Sequence, residues 1–253
     1  ECYYCRTGHA NLCERAQKKP VREGLLIGPG GLCDYVIVNT GYLFKIPDTL
    51  SYEEASLTEP LACVVHSVTK ANIQLGEDVV VIGGGIMGQY HVMLAKRRGA
   101  RVIMSEVDES RRTLARKLGA DITFNPMEKD PVEYVKSLTE GRGADVVFNT
   151  TAIPSVVPQA IAMTGKAGRM IQYSSMHPDA PAPVSPQMLH GNEPILTGSI
   201  SPDVHDFFTA NRLLSGGIID CKPLIAKKFP FEQAQQAFEA AIVPGTFRVI
   251  ITD

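Results

Sequence analysis

Charge of one sign, long apolar runs and dense cysteine pairing are all missing from this sequence, and each absence removes a class of function. The formal net charge is −2, so there is no basic excess to hold nucleic acid or an anionic membrane surface. No apolar run approaches the ~20 residues of a membrane-spanning helix, and no signal-peptide pattern opens the chain. Cysteines occur at positions 2, 5, 13, 33, 63 and 221. They are too scattered for a disulfide framework, although three crowd the N-terminus. A cytoplasmic protein with reduced thiols available to metal is the expectation. Internal repeats and low-complexity segments are absent too. What remains is an ordinary globular composition, 44% hydrophobic and 21% charged over 253 residues, enough for one large domain or two modest ones.

The stretch 79–106 carries the strongest signal. Val79, Val80, Val81 and Ile82 form a short β-branched run, as expected for a strand covered on both faces. Gly83, Gly85 and Gly88 follow at G-x-G-x-x-G spacing, which serves a tight turn, close approach of backbone to a pyrophosphate, and close helix–strand packing. The helix that starts within this motif, at Ile86 and Met87, aims its N-terminal N–H groups and partial positive charge at the phosphates. Gly99 closes that helix. Val102, Ile103 and Met104 make a second strand, and Glu106 ends it, 18 residues after Gly88. An acid about there accepts hydrogen bonds from an adenosine ribose. Strand, turn, helix, strand and acid in this order predict a dinucleotide site. The bland alternative is a βαβ crossover with a flexible glycine turn.

Downstream, helical patterns over 109–118, 131–139 and 154–163 alternate with strand patterns at 122–124, 146–148 and 169–173. The fold class this predicts is α/β: a doubly wound parallel sheet with helices on both faces. Ligands bind outside the carboxyl ends of such strands, so Asn149, Thr150, Thr151 and Ser174 would line the cofactor cleft; Thr150 and Thr151 equally suit a turn and a cap. A proline-dense loop at 178–186 breaks the alternation, and 195–197 restores it with one more strand. Helices over 203–214 and 231–241 and a strand at 247–251 do not extend the sheet in any obvious way and read as part of a second domain.

The beginning of the chain is less regular. A turn at Gly30 and Gly31, a strand at 35–38 and a short extended piece at Leu43 and Phe44 precede a helix over 51–57, with Ser51 as N-cap and Glu54 at the capping-box position. Pro60 suits the first turn of the next helix. Glu59 beside it either stabilises that helix N-terminus or faces a metal or substrate. Cys2 and Cys5 stand at C-x2-C spacing, and Cys13 follows after seven more residues. Thiolates so spaced can grip one tetrahedral zinc ion. Structural zinc takes four ligands and only three thiols are here. Either His9 or Glu1 completes the set, or the cysteines are free or redox-active.

Together these features resemble the zinc-containing medium-chain dehydrogenase/reductase family, in particular its sorbitol (polyol) and threonine dehydrogenase branch. The resemblance spans essentially the whole chain. It is carried by C-x2-C-x7-C with Gly8 and Asn11-Leu12 inside it, GGLCDYV at 30–36, EPLACVVHSV at 59–68, and the glycine turn with GRMIQ at 168–172. It implies a Rossmann NAD-binding domain over 61–200, with 1–60 and 201–253 belonging to a GroES-like, mainly β catalytic domain. It also implies that Cys2, Cys5 and Cys13 are the second, third and fourth ligands of a structural-zinc loop of form C-x2-C-x2-C-x7-C. The first ligand would then lie upstream of Glu1, and an N-terminally truncated chain lacking most catalytic-zinc ligands is the expectation.

Glu59 falls where the polyol branch sets an acid beside the catalytic zinc, which makes it both the catalytic and a metal-site candidate. Cys63 and His66 follow on the same helix, with core packing the better reading of Cys63. Arg248 falls about where some relatives bring an arginine to the pyrophosphate, although an edge-strand surface arginine reads equally well. The activity implied is zinc-dependent oxidation of a secondary alcohol or polyol, with hydride passing to NAD. Glu106 favours NAD over NADP; Arg111 and Arg112 are the counter-argument, although their spacing suits a solvated helix face. The alternatives are an NAD-binding protein without turnover and a zinc-free, quinone-type reductase. The expected partners are a small-molecule substrate and further copies of the chain, as a dimer or tetramer, with no nucleic acid or membrane.

Overall fold

The computed structural model describes residues 2–15, 33, 35–38 and 40–252. The turn expected at Gly30 and Gly31 lies outside them, and so does Glu1. Helix α1 (Tyr3–Arg6) belongs to the cysteine loop, and α2 (Tyr52–Ala55) and α3 (Thr58–Ala71) lead into the sheet. Strands and helices then alternate. They are β1 (Asp78–Ile82), α4 (Ile86–Arg97), β2 (Arg101–Ser105), α5 (Glu109–Leu118), β3 (Ile122–Phe124) and α6 (Pro131–Leu138). The second half continues with β4 (Ala144–Asn149), α7 (Val156–Met163), β5 (Thr164–Gln172), α8 (Pro186–Asn192), β6 (Ile195–Gly198) and α9 (Val204–Ser215). A short tail adds β7 (Ile225–Pro230), α10 (Ala234–Ala241) and β8 (Arg248–Thr252).

The main sheet has six strands in the order β3-β2-β1-β4-β5-β6, every neighbouring pair parallel. This is the doubly wound arrangement expected from the sequence, with its switch point between β1 and β4. Alternation along β1 explains the β-branched run. Val79 and Val81 enter one core with Leu61, Val68, Leu94 and Leu214, while Val80 and Ile82 enter a second core with Val135, Ala160 and Met170. All five residues of β1 are buried, and each such aliphatic side chain contributes about 1.5–3 kcal/mol through burial. Helices α3, α4 and α9 therefore cover one face, and α6 and α7 the other.

The amino ends of the strands are fastened by charge. Asp78, which opens β1, accepts from Arg101 Nε at 2.6 Å and from Arg142 Nη2 at 3.4 Å, and its own N–H donates to Asp145 at 2.8 Å. Arg169 pairs with Glu77 beside them. The Ser51 cap is present as the sequence suggests, and two further helix starts are capped by acids. Ser51 accepts from Glu54 N–H at 3.3 Å, and Asp130 accepts from the N–H groups of Val132 and Glu133 at 2.9 Å each. Asp203 and Asp206 form a reciprocal capping box on α9.

Four readings change. Residues 35–38 form no strand; the side chain of Ile37 is fully exposed at 101%, and without a partner strand among the described residues an apolar alternation has nothing to bury against. Strand β5 begins at Thr164, directly after α7 and upstream of the expected 169. Its Gly165 and Gly168 are sites of close backbone approach, where an added Cβ would stand 2.9 Å from Arg142 O and from Gly165 O respectively. Helix α8 emerges from the proline-dense loop because Ser185 caps it and Pro186 occupies its first turn. Strand β7 pairs in parallel with β8 in a separate two-stranded sheet. No helix among the described residues is long and apolar enough to cross a membrane.

Candidate functional site

The glycine turn sits at the carboxyl end of β1, and steric accounting identifies what each glycine does. A Cβ on Gly88 would lie 1.9 Å from Gly83 O, so α4 can pack this close to the turn only with glycine there. Gly83 has φ +99°, and a Cβ on it would meet Thr150 Oγ1 at 2.8 Å. Gly84, which the spacing motif leaves unspecified, is equally constrained: its Cβ would stand 2.8 Å from Glu106 Cγ. Around Gly85, the N-cap of α4, there is open space within 4 Å. Ile86, Met87 and Gly88 follow in the first turn of α4, whose N–H groups have no intrahelical acceptors. Close backbone packing on one side and open space on the other make a cradle suited to a pyrophosphate.

Glu106 is buried, with 5% of its side chain exposed. One carboxylate oxygen accepts from Gly84 N–H at 2.5 Å and the other from Asp108 N–H at 2.9 Å, with Arg111 Nη1 at 3.9 Å. Glu106 therefore ties the end of β2 to the glycine turn. Arg112 departs from the expected solvated face. It is 8% exposed, donates to the carbonyls of Glu106 and Val107, and pairs with Glu109 at 2.6 Å. Arg111 keeps a buried Nε without a partner. Gln89 Nε2 donates to the carbonyls of Gly84 and Arg111 at 3.0 Å each, bracing the same turn.

Thr150 follows β4. Its hydroxyl lies 2.8 Å from Ile82 O and 3.2 Å from Gly83 O, so it braces the end of β1 as a donor. Asn149 Oδ1 accepts from Thr151 N–H and Oγ1–H, and Asn149 Nδ2 donates to Gln172 at 2.9 Å. Arg248 opens β8 opposite Ile225 and acts electrostatically on the buried Tyr90 phenol of α4, which burial and then the Cys221 charge push up.

Glu59 is exposed in the first turn of α3, and Cys63 Sγ donates to its Oε1 at 3.3 Å, one turn along. Burial and then the Glu59 charge push the Cys63 thiol up to about 12, so it stays protonated near neutral pH. Tyr173, just beyond β5, is pushed up by burial and by the same two groups. His91 stacks edge-on to Tyr173 with centroids 4.8 Å apart. It is fully buried, which pulls it down to about 4. Its Nδ1 must carry the proton, because its neighbour at 2.8 Å is the Met87 carbonyl; Nε2 then accepts from Ser67 Oγ at 2.9 Å.

A cleft of about 580 Å³ opens at the carboxyl ends of β5 and β6, bordered by Tyr173, Ser174 and Ser199 on the sheet side, His66 and Lys70 on α3, and Asn11 of the cysteine loop. His66 Nδ1 lies 2.7 Å from Asp206 Oδ2 of α9. Asn11 Nδ2 donates to Ile200 O at 2.9 Å and lies 3.4 Å from His66 Nε2. Burial would raise the Asp206 carboxyl, but hydrogen bonds from His66 and from Asp203 N–H outweigh it and hold it below its ordinary value.

The sulfur atoms of Cys2, Cys5 and Cys13 all lie within 4.8 Å of one another. Cys2 and Cys5 are 3.7 Å apart, close to the ~3.8 Å edge of a tetrahedron with Zn–S bonds of about 2.3 Å. Backbone N–H groups of Cys5 and Glu14 pull the Cys2 thiol down to about 7, toward the thiolate a metal requires. His9 does not join this group, and among the described residues the cluster consists of three thiols.

Comparison with known proteins agrees with this geometry. Residues 87–216 match the family described as zinc-binding dehydrogenase. A D-arabitol-phosphate dehydrogenase of Enterococcus avium is 31% identical over 255 residues, which span 99% of this chain and 70% of that protein. A sorbitol dehydrogenase of Bacillus subtilis is 30% identical over 95% of this chain and 67% of its own. Among solved structures, one described as a zinc-binding dehydrogenase of Sinorhizobium meliloti 1021 bound to NADP superposes with a TM-score of 0.88 at 28% identity, covering 100% of this chain and 73% of that one. The chain belongs to the zinc-binding dehydrogenase family.

Proposed function

We propose that this chain is part of an oxidoreductase that oxidises a secondary alcohol or polyol, with NAD as hydride acceptor and zinc as the metal. The observation that carries the reading is the glycine turn: Gly83 and Gly88 in mutual backbone contact, open space at Gly85, and Glu106 closing the second strand. NAD(P) or polyol chemistry in the names of the relatives points the same way. Gly83, Gly85, Ile86, Met87 and Gly88 would hold the pyrophosphate, Glu106 the adenosine ribose, and Arg248 would approach the phosphates. Thr150 acts on the cofactor indirectly, by fixing the turn. The carboxylate of Glu106 argues for NAD over NADP, because it would repel a 2′-phosphate.

Cys2, Cys5 and Cys13 fit a structural zinc site, with one further ligand to complete it. Glu59 is the candidate beside the catalytic metal. When bound, zinc supplies Lewis acidity to the alcohol oxygen and the nicotinamide accepts the hydride. The contribution of this chain's own residues is to orient the cofactor and keep neighbouring groups neutral. Cys63 and Tyr173 hold their protons, and neutral His91 buttresses Tyr173. Residues 61–200 serve as the cofactor domain, with 1–60 and 201–253 as parts of the catalytic domain, although α9 of the last segment packs on the cofactor sheet through Ala210 and Leu214. Contacts between those two outer segments support this division: Lys228 pairs with Glu53 at 2.6 Å, and Asn211 Nδ2 donates to Lys45 O at 3.1 Å. Self-association as a dimer or tetramer is part of the same reading. Its support is the edge position of β6, with Ile195 exposed.

The test is a fluorescence titration with NADH and NADPH. NADH should bind more tightly, and Glu106→Ala should cost it about tenfold or more. Equal binding of both cofactors would remove the NAD assignment. Turnover of sorbitol with added zinc then separates an enzyme from a protein that only binds the cofactor.

A further inference from the structure

We infer that Asn11 couples the two proposed sites: it holds the cysteine loop against the cofactor cleft, so that metal on the three thiols tightens NADH binding and NADH tightens the metal. The inference rests on the zinc and cofactor readings above and adds a link between them. Asn11 is a positioning residue in this scheme.

Little besides its thiols holds the loop in shape. Of residues 2–15 only Cys2 is buried, helix α1 buries none of its residues, and Tyr3, Tyr4 and Leu12 are exposed. Among the described residues, Asn11 donates both hydrogen bonds that join this loop to the rest of the chain. Its Nδ2 gives one N–H to Ile200 O at 2.9 Å and the other to His66 Nε2 at 3.4 Å. The second bond has a fixed sense. His66 Nδ1 faces the Asp206 carboxylate at 2.7 Å and carries the proton, which leaves Nε2 as the acceptor. Asp206 belongs to the capping box of α9, so the amide is anchored on both α3 and the end of β6. Cys13, which completes the thiol cluster, lies two positions from Asn11.

Both anchors border the cleft. Asn11, His66, Ser199 and Ile200 line it, and Ser199, next to the residue that Asn11 holds, offers a buried hydroxyl without a partner. Along the carboxyl rim the strands run β2, β1, β4, β5, β6. With the adenosine on Glu106 after β2 and the pyrophosphate on the turn after β1, the other half of the dinucleotide is directed over β4 toward β5 and β6, where this wall stands. A docked loop presents residues 199–200 preformed; an undocked loop releases them and opens the cleft to water. Metal that orders the loop and a cofactor that favours the docked loop act on one equilibrium, so each raises the affinity of the other by the same factor.

The experiment measures both affinities on the whole chain: NADH by fluorescence titration with zinc bound and after chelation, and zinc by competition with a chromophoric chelator, with and without saturating NADH. Removal of zinc should weaken NADH binding about tenfold, and NADH should tighten zinc by the same factor. Cys5→Ser should show the weaker NADH affinity at every zinc concentration, which assigns the effect to the thiol cluster. Asn11→Leu, similar in volume but without donors, should keep its metal site, seen as cobalt–thiolate absorption, while its NADH affinity no longer responds to zinc. Equal NADH affinity with and without zinc overturns the coupling and leaves the cofactor reading standing, and a coupling that survives in Asn11→Leu overturns the role of Asn11. Absence of NADH binding in both states, or of zinc binding, removes the corresponding reading and the coupling with it.

Discussion

At residue 88 a single methyl group decides whether α4 can pack against the turn. With Gly83 O only 1.9 Å from an added Cβ, Gly88→Ala must push the helix away from the turn. Overpacking of this kind costs about 1–3 kcal/mol, so the variant should melt earlier and lose measurable NADH binding, both visible in one titration followed by one melt. Gly85→Ala, facing open space, should keep its stability and weaken only the cofactor, because the methyl group occupies the ligand's side of the turn. His91 gives a pH prediction. Its folded value of about 4 lies below the ordinary 6.5, so the unfolded chain takes up a proton in that interval and the folded chain does not. Stability is therefore fully present above pH ~6.5 and falls by about 3 kcal/mol as pH drops toward ~4. Urea midpoints across this range should show that slope in the native protein and a shallower one in His91→Gln.

Between elements, the contact that matters most is α3 against α9. Asp206 caps its own helix and holds His66 on the neighbouring one, so Asp206→Ala removes a cap and leaves a half-buried imidazole unsupported. A loss of about 2–3 kcal/mol is expected, with equilibrium unfolding as the measurement; a change below 0.5 kcal/mol would mean the pair is solvated in practice. That pair spans 140 positions in sequence, and no local pattern could reveal it. The same limit hid Asn11 and its contact with Ile200. What the sequence did reveal were strands buried on both faces, because β1, β2 and β4 need unbroken apolar runs to fill two cores at once. Strand β5 was legible only in its second half, since Gly165 and Gly168 interrupt the apolar run where the backbones pack closely. Strand β7 escaped because Lys227 and Lys228 interrupt its apolar run on an exposed sheet. The segment 35–38 erred in the opposite direction: its composition is that of a strand, and the described residues offer it no partner. Of the site, the glycines and Glu106 were readable from spacing, whereas Gly84 and Gln89 were recognisable only once Glu106 was seen to fold back on the turn.

For the whole molecule, the cysteine loop is the part whose place the proposed zinc ion would fix. Cobalt(II) titration should give thiolate charge-transfer absorption that Cys5→Ser abolishes, and chelation should lower the melting temperature of the native protein but not of that variant. Chelation should also loosen Asn11 from Ile200, which hydrogen exchange at the end of β6 would register. The amino ends of the strands carry a separate consequence. Asp78, Arg101, Arg142, Asp145, Glu77 and Arg169 gather all their charge on the rim opposite the glycine turn. The sheet is thus a plate with a mechanical edge and a chemical edge, and evolution or an engineer can work on one without disturbing the other. Arg101→Met should leave the buried Asp78 carboxylate with only its longer Arg142 contact and lower stability by about 2 kcal/mol, yet leave the dissociation constant for NADH where it was. Proteins that recruit this plate for a new substrate would be free to tune durability from below while rewriting recognition from above.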